Sequence, residues 1–132
     1  MSSKIIVTGG CGFVGHPLTT ALLELGHQVL VIDAMWFGNL LPEHENLEII
    51  ESDIRNLEEA CFDGVDTVFH LANVANDPCS DLNSKLNWEV NALASMQLVE
   101  MAIKKKVRPF VFASSGSVYG VKEEPLVTEE LP

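Results

Sequence analysis

The sequence predicts an α/β fold in which helices cover both faces of a parallel sheet. Short apolar runs rich in β-branched residues alternate with segments of helical periodicity along the 132 residues. A glycine-rich turn separates the first run from the first helix, and an acidic residue ends the second run. This pairing is the dinucleotide fingerprint, so we expect a Rossmann-type doubly wound sheet with strand order 3-2-1-4-5.

Composition limits the class of protein and its partners. The length suits a single domain, residues 1–132, and 47% hydrophobic residues are enough for one core. A net charge of −11 argues against nucleic acid and anionic membrane surfaces as partners. We expect no membrane span and no signal peptide. Three cysteines without Cys-x-x-Cys spacing indicate a reduced, cytoplasmic protein with neither a disulfide nor a metal site.

The first strand and the turn after it carry the strongest signal. Residues 4–8 are predicted to form a buried strand, and Gly9, Gly12 and Gly15 follow at intervals of three. Glycines at this spacing allow a tight turn, close approach of backbone N–H groups to a pyrophosphate, and close packing of the helix on the strand. The helix N-terminus adds free donors and a partial positive charge.

The first helix is predicted to end at Gly26, a C-cap. Pro17 lies within this helical pattern and cannot donate a hydrogen bond to the carbonyl four residues back. We therefore expect either a local irregularity or a regular helix that begins nearer Pro17. The apolar positions, three and four apart, are Val14, Leu18, Ala21, Leu22 and Leu25.

Asp33 ends the second strand, residues 27–33, and lies 18 residues after Gly15. The fingerprint places an acid that binds the ribose hydroxyls about 20 residues on. A carboxylate at this point would repel a 2′-phosphate, and residues 34–46 contain no Lys or Arg to receive one. The expected cofactor is therefore NAD rather than NADP.

The later elements complete five strands. Residues 34–46 are interpreted as a loop with a partly buried aromatic pair, Trp36 and Phe37. We predict strands at 47–51, 67–71 and 109–113, and a short helix around 57–61. The fifth strand would leave an open sheet edge. We expect the chain to form a homo-oligomer or to associate through that edge or through helix 81–106.

The predicted helix 81–106 joins the last two strands. Ser80 or Asp81 can cap its beginning, and it extends to about Lys106. Its apolar positions form a single track that consists of Leu82, Leu86, Val90, Leu93, Ala94, Leu98 and Met101.

Several motifs, taken in chain order, resemble a known family. They are Thr8-Gly9-x-x-Gly12-x-x-Gly15, Asp33, Asp53-Ile54, His70-Leu71-Ala72, Asn91 and Ser114-Ser115-x-Ser117-Val118-Tyr119-Gly120. Together they look like the extended short-chain dehydrogenase/reductase family, in particular its NAD-dependent nucleotide-sugar epimerases and dehydratases. The resemblance implies that the chain is the first part of a nucleotide-binding domain, without the sixth strand and the substrate domain.

The resemblance implies a role for each motif. The glycine turn would hold the NAD pyrophosphate, Asp33 the adenosine ribose, and Ser115 a hydroxyl of the reacting sugar as the catalytic residue. The cofactor-binding set is Gly9, Gly12, Phe13, Val14, Gly15, Asp33, Asp53, Ile54, Leu71, Ala72, Asn73, Asn91 and Ser114. Asp53 could instead cap the short helix, Asn91 could be an ordinary polar helix position, and His70 is expected to be a packed strand residue.

The resemblance also implies hydride transfer between the C4 atom of a nucleotide sugar and retained NAD. The tyrosine of a Tyr-x-x-x-Lys pair would take the O4 proton, but Lys122 follows Tyr119, the single tyrosine, after only two residues. Gly116 and Ser117 replace the Asp-Glu pair of 4,6-dehydratases. An epimerase or a 4-reductase is favoured, and the 132-residue chain itself is expected to be inactive. A non-catalytic dinucleotide-binding module is the alternative; a flavodoxin-like regulator is disfavoured by Asp33.

Overall fold

The computed structural model describes residues 2–75, 82–121 and 126–128. It contains one five-stranded parallel sheet with the order β3-β2-β1-β4-β5, as the sequence predicts. The strands are β1 (Lys4–Thr8), β2 (Gln28–Asp33), β3 (Leu47–Glu51), β4 (Thr67–His70) and β5 (Phe110–Phe112). Among the described residues, β5 pairs with β4 alone. The predicted open edge is therefore present in this part of the chain.

Side-chain alternation along β1 creates two cores, one on each face of the sheet. Ile5 and Val7 pack with Leu22 and Leu23 of α1 (Gly15–Glu24). The opposite face places Ile6 against a second helical region. That region consists of α2 (Ser84–Trp88), a π-segment (Glu89–Ala94) and α3 (Ser95–Lys104). The chain passes from β1 to β2 on one side and later to β4 and β5 on the other. Right-handed crossovers in these two directions place the helices on opposite faces, which is the doubly wound arrangement.

The structure settles the two alternatives for Pro17. α1 begins at Gly15, so Pro17 lies in its first turn. The N–H groups of a first turn have no partner within the helix, and a proline therefore loses nothing there. The regular helix is the correct alternative. Gly26 follows the helix with φ +80°, the left-handed conformation expected of a C-terminal glycine.

Two expectations about buried apolar residues are wrong. Trp36 and Phe37 are 58% and 94% exposed, so they do not form the partly buried aromatic pair predicted for the loop after β2. Of the apolar track predicted for helix 81–106, Leu82 and Leu93 are also exposed. The π-segment has i→i+5 hydrogen bonds and wider turns, so Leu93, three residues after Val90, turns away from the core. The buried positions of the π-segment and α3 are Val90, Ala94, Leu98 and Ala102.

Other element boundaries also differ from the prediction. Two single 3₁₀ turns, Ile54–Asn56 and Glu59–Phe62, replace the predicted short helix. Asn83 caps α2 by accepting the Leu86 N–H at 3.0 Å, whereas the predicted caps Ser80 and Asp81 lie outside the described residues. Within the described ranges, the helices are all too short or too polar to cross a membrane.

Candidate functional site

The glycine loop, residues 9–15, is packed so tightly that Gly9 and Gly15 have no room for a side chain. Gly9 has φ +72°, and a Cβ atom there would lie 2.8 Å from the Ala72 nitrogen. A Cβ atom on Gly15 would overlap the Gly9 carbonyl oxygen and lie 2.6 Å from Gly10 Cα. The Gly9 carbonyl also accepts the Gly12 N–H at 3.1 Å. The loop therefore brings backbone close to backbone at the N-terminus of α1, which is the geometry of an anion cradle.

Gly10 is a further requirement that the three-residue spacing does not reveal. A Cβ atom on Gly10 would lie 2.7 Å from both methyl groups of Val31 in β2. By contrast, a Cβ atom on Gly12 would meet only the Gly9 oxygen, at 3.2 Å. A glycine is thus required at position 10 because the residue packs on Val31 of the neighbouring strand. The sequence does not reveal this requirement, because Val31 becomes a neighbour only in the folded sheet.

Asp33 joins the end of β2 to the glycine loop. Its carboxylate accepts the Cys11 N–H at 2.9 Å through Oδ2 and the Met35 N–H at 2.8 Å through Oδ1. The side chain is only partly buried, so the remaining lone pairs lie beside the loop. This position suits a hydrogen bond acceptor for a ribose diol next to a pyrophosphate.

Cys11 is a small residue of the loop rather than an activated thiol. Burial and the nearby Asp33 carboxylate both raise its pKa above the usual value. The thiol donates to Asn39 Oδ1 at 3.6 Å, which ties the loop after β2 to the glycine loop. A raised pKa leaves less thiolate at neutral pH, so the position at a helix N-terminus does not activate this cysteine.

Asp53 is engaged by Arg55 rather than free. It caps the 3₁₀ turn by accepting the Arg55 N–H at 2.9 Å, and its carboxylate binds the Arg55 guanidinium at 2.7 Å. Hydrogen bonds from the Arg55 side chain lower the pKa of Asp53. Arg55 also contacts Glu89 at 2.8 Å. Ile54 is only 6% exposed and packs in the core, next to the capped turn.

The turn after β4, residues 71–74, lies directly against the glycine loop. Leu71 and Ala72 donate to Thr8 Oγ1 at 3.2 and 3.3 Å. Asn91 in the π-segment holds Val74 from the other side: its Oδ1 accepts the Val74 N–H at 2.7 Å and its Nδ2 donates to the Val74 carbonyl at 3.0 Å. The turn after β4 is therefore held from both sides, by Thr8 at the end of β1 and by Asn91 in the π-segment.

His70 is packed in the strand and is neutral. The ring is 1% exposed and stacks on Phe112 with a centroid distance of 5.4 Å. Burial lowers its pKa to about 4. Its Nδ1 atom lies 2.6 Å from Thr8 Oγ1 and its Nε2 atom 2.8 Å from Ser95 Oγ. The sequence pattern indicates a buried histidine here but not these two partners, which come from distant parts of the chain.

The remaining assigned residues are exposed. Phe13 is 97% exposed, and Val14, Asn73 and Ser114 are exposed as well. Ser115 lies beyond the carboxyl end of β5, at the same edge of the sheet as the glycine loop. Its hydroxyl accepts the Ser117 N–H at 3.1 Å and caps the 3₁₀ turn Gly116–Tyr119. The structure thus brings the glycine loop, Asp33 and the turn after β4 together, and places Ser115 after β5, the strand next to β4.

Known proteins match this chain in sequence and in fold. A family model described as the NAD dependent epimerase/dehydratase family matches residues 5–132. A 3 beta-hydroxysteroid dehydrogenase/Delta 5→4-isomerase of Mycobacterium tuberculosis is 36% identical over 121 residues, which are 87% of this chain and 32% of that protein.

Two solved structures share the fold over nearly the whole chain. A UDP-N-acetylglucosamine 4-epimerase from Methanobrevibacter ruminantium, in complex with UDP-N-acetylmuramic acid, has a TM-score of 0.90 and 31% identity and covers 98% of this chain. The Bordetella bronchiseptica enzyme WbmH, in complex with NAD⁺, has a TM-score of 0.82 and 28% identity and covers 100% of this chain. This chain spans 43% and 46% of those two chains. The chain belongs to the NAD dependent epimerase/dehydratase family.

Proposed function

We propose that this chain binds NAD at the carboxyl ends of β1, β2 and β4. The observation that carries the proposal is the glycine loop, where Gly9 and Gly15 have no room for a Cβ atom beside the Asp33 carboxylate. Backbone N–H groups at the start of α1 would bind the pyrophosphate, and Asp33 would accept hydrogen bonds from the adenosine ribose. The family description and the NAD⁺ complex of a structural neighbour support the same cofactor.

The same site favours NAD over NADP. Asp33 would place a negative charge beside a 2′-phosphate, and residues 34–46 contain no Lys or Arg that could offset it. Calorimetric titration of the 132-residue chain with both cofactors tests this selectivity. We expect at least tenfold tighter binding of NAD, which corresponds to about 1.4 kcal/mol. Tighter binding of NADP would overturn the assignment of Asp33.

We infer that the chain is the cofactor-binding part of a nucleotide-sugar 4-epimerase or 4-reductase. NAD, when bound, supplies a hydride acceptor. Ser115 would hydrogen-bond the reacting sugar hydroxyl beyond the carboxyl end of β5. Gly116 and Ser117 carry no carboxylate, so this chain lacks the acid–base pair that a 4,6-dehydratase needs. The solved 4-epimerase neighbour supports the substrate class.

The isolated chain should not turn over a nucleotide sugar. Lys122 does not stand at the spacing of the Tyr-x-x-x-Lys pair, and losing a positioned acid–base group reduces rates by about 10²–10⁴. An epimerase assay with UDP-glucose on the pure 132-residue protein tests this expectation. Clear turnover would show that another group takes the proton.

A non-catalytic dinucleotide-binding module is the second candidate. The exposed apolar side chains of Phe112 in β5 and Met96 in α3 line one groove and favour it, because association through β5 or α3 would cover them. Light scattering separates the states: a homo-oligomer or a defined complex supports association, and a monodisperse monomer contradicts it. For either candidate we propose a reducing, cytoplasmic location.

A further inference from the structure

A buried line of hydrogen bonds runs from β1, through β4, to the first turn of α3. It begins at Thr8 Oγ1, passes through the ring of His70 with contacts of 2.6 and 2.8 Å, and reaches Ser95 Oγ. Ser95 then donates to the Asn91 carbonyl oxygen at 2.9 Å. Thr8 and His70 are buried, and Ser95 is partly buried. The line therefore links three separate elements beneath the candidate cofactor site.

The carbonyl at the end of this line determines the direction of every bond in it. A carbonyl oxygen can only accept, so the Ser95 hydroxyl must give its proton to Asn91. Ser95 Oγ is then free to accept, and His70 Nε2 must carry the ring proton. A neutral ring has no second proton, so Nδ1 accepts from the Thr8 hydroxyl. The low pKa of His70, about 4, agrees with a neutral ring.

This direction leaves the lone pairs of Thr8 Oγ1 available to the turn after β4. Ala72 N–H donates to that oxygen at 3.3 Å, while Leu71 N–H is shared between Thr8 Oγ1 and the Thr8 carbonyl. Ala72 is the residue whose backbone lies against Gly9. The contact between the β4 turn and the glycine loop thus depends on which atom of His70 carries the proton.

We propose that Ser95 is a positioning residue for the dinucleotide site, because its hydroxyl selects the Nε2–H form of His70 and so holds Ala72 on Thr8 against the glycine loop. The inference rests on the proposed NAD site. Without the Ser95 hydroxyl, His70 Nε2–H would lose its acceptor and the Nδ1–H form would become competitive. Thr8 Oγ1 would then face three N–H donors with two lone pairs, and the Ala72 bond would weaken.

The test combines imidazole and amide NMR with NAD titration of the 132-residue chain. The variants are Ser95→Ala, which removes the hydroxyl, and Ser95→Thr, which keeps one. Ser84→Ala, at an exposed serine at the start of α2, is the matched control. Long-range ¹H–¹⁵N spectra report the His70 tautomer, and hydrogen exchange reports the Ala72 amide. Neither readout requires NAD.

We expect Nε2–H in the wild type and in Ser95→Thr, and a mixture of tautomers in Ser95→Ala. In Ser95→Ala, Ala72 exchange should rise about tenfold and the Kd for NAD about three- to tenfold, as for loss of a buried hydrogen bond. Ser84→Ala should match the wild type. A wild type that binds no NAD would overturn the proposed function. A Ser95→Ala protein with unchanged tautomer and Ala72 exchange, in a chain that binds NAD, would overturn this inference alone.

Discussion

The glycine loop and the segment after β5 both lie at the carboxyl ends of the strands, but they differ in how firmly they are held. In the glycine loop, Gly9, Gly10 and Gly15 each press against neighbouring backbone or side chains, and Asp33 fastens the loop to β2. In the segment after β5, residues 113–121, almost every residue is exposed, and the Ser115 hydroxyl bonds to Ser117, two residues along the chain. The glycine loop is therefore preorganised by contacts between strands, whereas the segment after β5 depends on local turns.

The position of each region in the sheet explains this difference. β1 lies at the centre with β2 and β4 on either side, and Ile6 and Val7 are completely buried. A loop that leaves this central strand has neighbours on both sides. β5 pairs with β4 alone within the described residues, and the segment that leaves it lacks the second neighbour. The loops at the carboxyl ends of the strands are thus held less firmly after the outer strand β5 than after the central strand β1.

Among the substitutions, Gly15→Ala should have the largest effect, because it should lower both the stability of the chain and its affinity for NAD. The added methyl group would overlap the Gly9 carbonyl oxygen and press on Gly10, and backbone cannot move aside as a flexible side chain can. We expect a loss of about 1–3 kcal/mol in the free energy of unfolding. NAD affinity should fall by more than tenfold, which is over about 1.4 kcal/mol. Urea denaturation and calorimetry measure the two quantities.

Gly116→Ala is the matched control for Gly15→Ala. A Cβ atom at Gly116 would meet no described atom within 4 Å, and Gly116 does not have a positive φ. We expect a change within about 0.5 kcal/mol in the free energy of unfolding. If both alanine variants lost stability equally, the contrast between the two regions would be wrong.

His70 should make the stability depend on pH. Burial lowers its pKa from 6.5 to about 4 in the folded chain, so the unfolded chain binds more protons between these values. The free energy of unfolding should therefore rise with pH across this window and lose about 3 kcal/mol on acidification from pH 7 to pH 4. Denaturation curves at a series of pH values measure the slope.

His70→Gln should remove this part of the pH dependence, because glutamine does not titrate. His44→Gln serves as the control, since His44 is exposed in the loop before β3. If the free energy of unfolding of His70→Gln changed with pH as steeply as that of the wild type, other groups would dominate the pH dependence between pH 4 and pH 7.

Asp33→Ala should have the next largest effect. It removes the acceptor proposed for the ribose diol together with the acceptor of the Cys11 and Met35 N–H groups. We expect NAD to bind about 1–3 kcal/mol more weakly, the range for hydrogen bonds to a charged group. Asp33→Asn keeps one acceptor oxygen and removes the charge, so its preference for NAD over NADP should be smaller than that of the wild type. An Asp33→Ala protein with unaltered NAD affinity would show that the carboxylate only holds the loop.

Ser115→Ala should have the smallest effect on stability. Its hydroxyl caps an exposed 3₁₀ turn, and surface changes of this kind usually stay within about 0.5 kcal/mol. Urea denaturation of the variant measures the change. A loss above about 1 kcal/mol would show that the segment after β5 is packed more firmly than the exposure of its residues indicates.

The predictions that succeeded rest on short-range patterns. The strand order follows from right-handed crossovers and the dinucleotide fingerprint, and the approximate bounds of β1, β2 and β3 follow from short apolar runs. The position of Gly26 follows from its place after the helix. Apart from the short helix that two 3₁₀ turns replace, those that failed concern exposure. Trp36 and Phe37 are apolar but have no core beside them, and Leu93 turns outward because of the π-segment. The apolar character of a residue does not by itself predict whether another element will pack over its side chain.

The sequence by itself determined the parallel α/β sheet, the glycine loop and the acid after β2, because each depends on residue types at close and regular spacing. Only the tertiary structure decided that Gly10 must accommodate Val31, that Asp33 also holds the Cys11 N–H, and that a line of hydrogen bonds joins Thr8 to Ser95. These direct contacts join residues between 21 and 62 positions apart in the sequence. Through His70, Thr8 is also linked to Ser95, which lies further along the chain. Such distances leave no periodic trace in the chain, because the sheet and not the sequence order makes the residues neighbours.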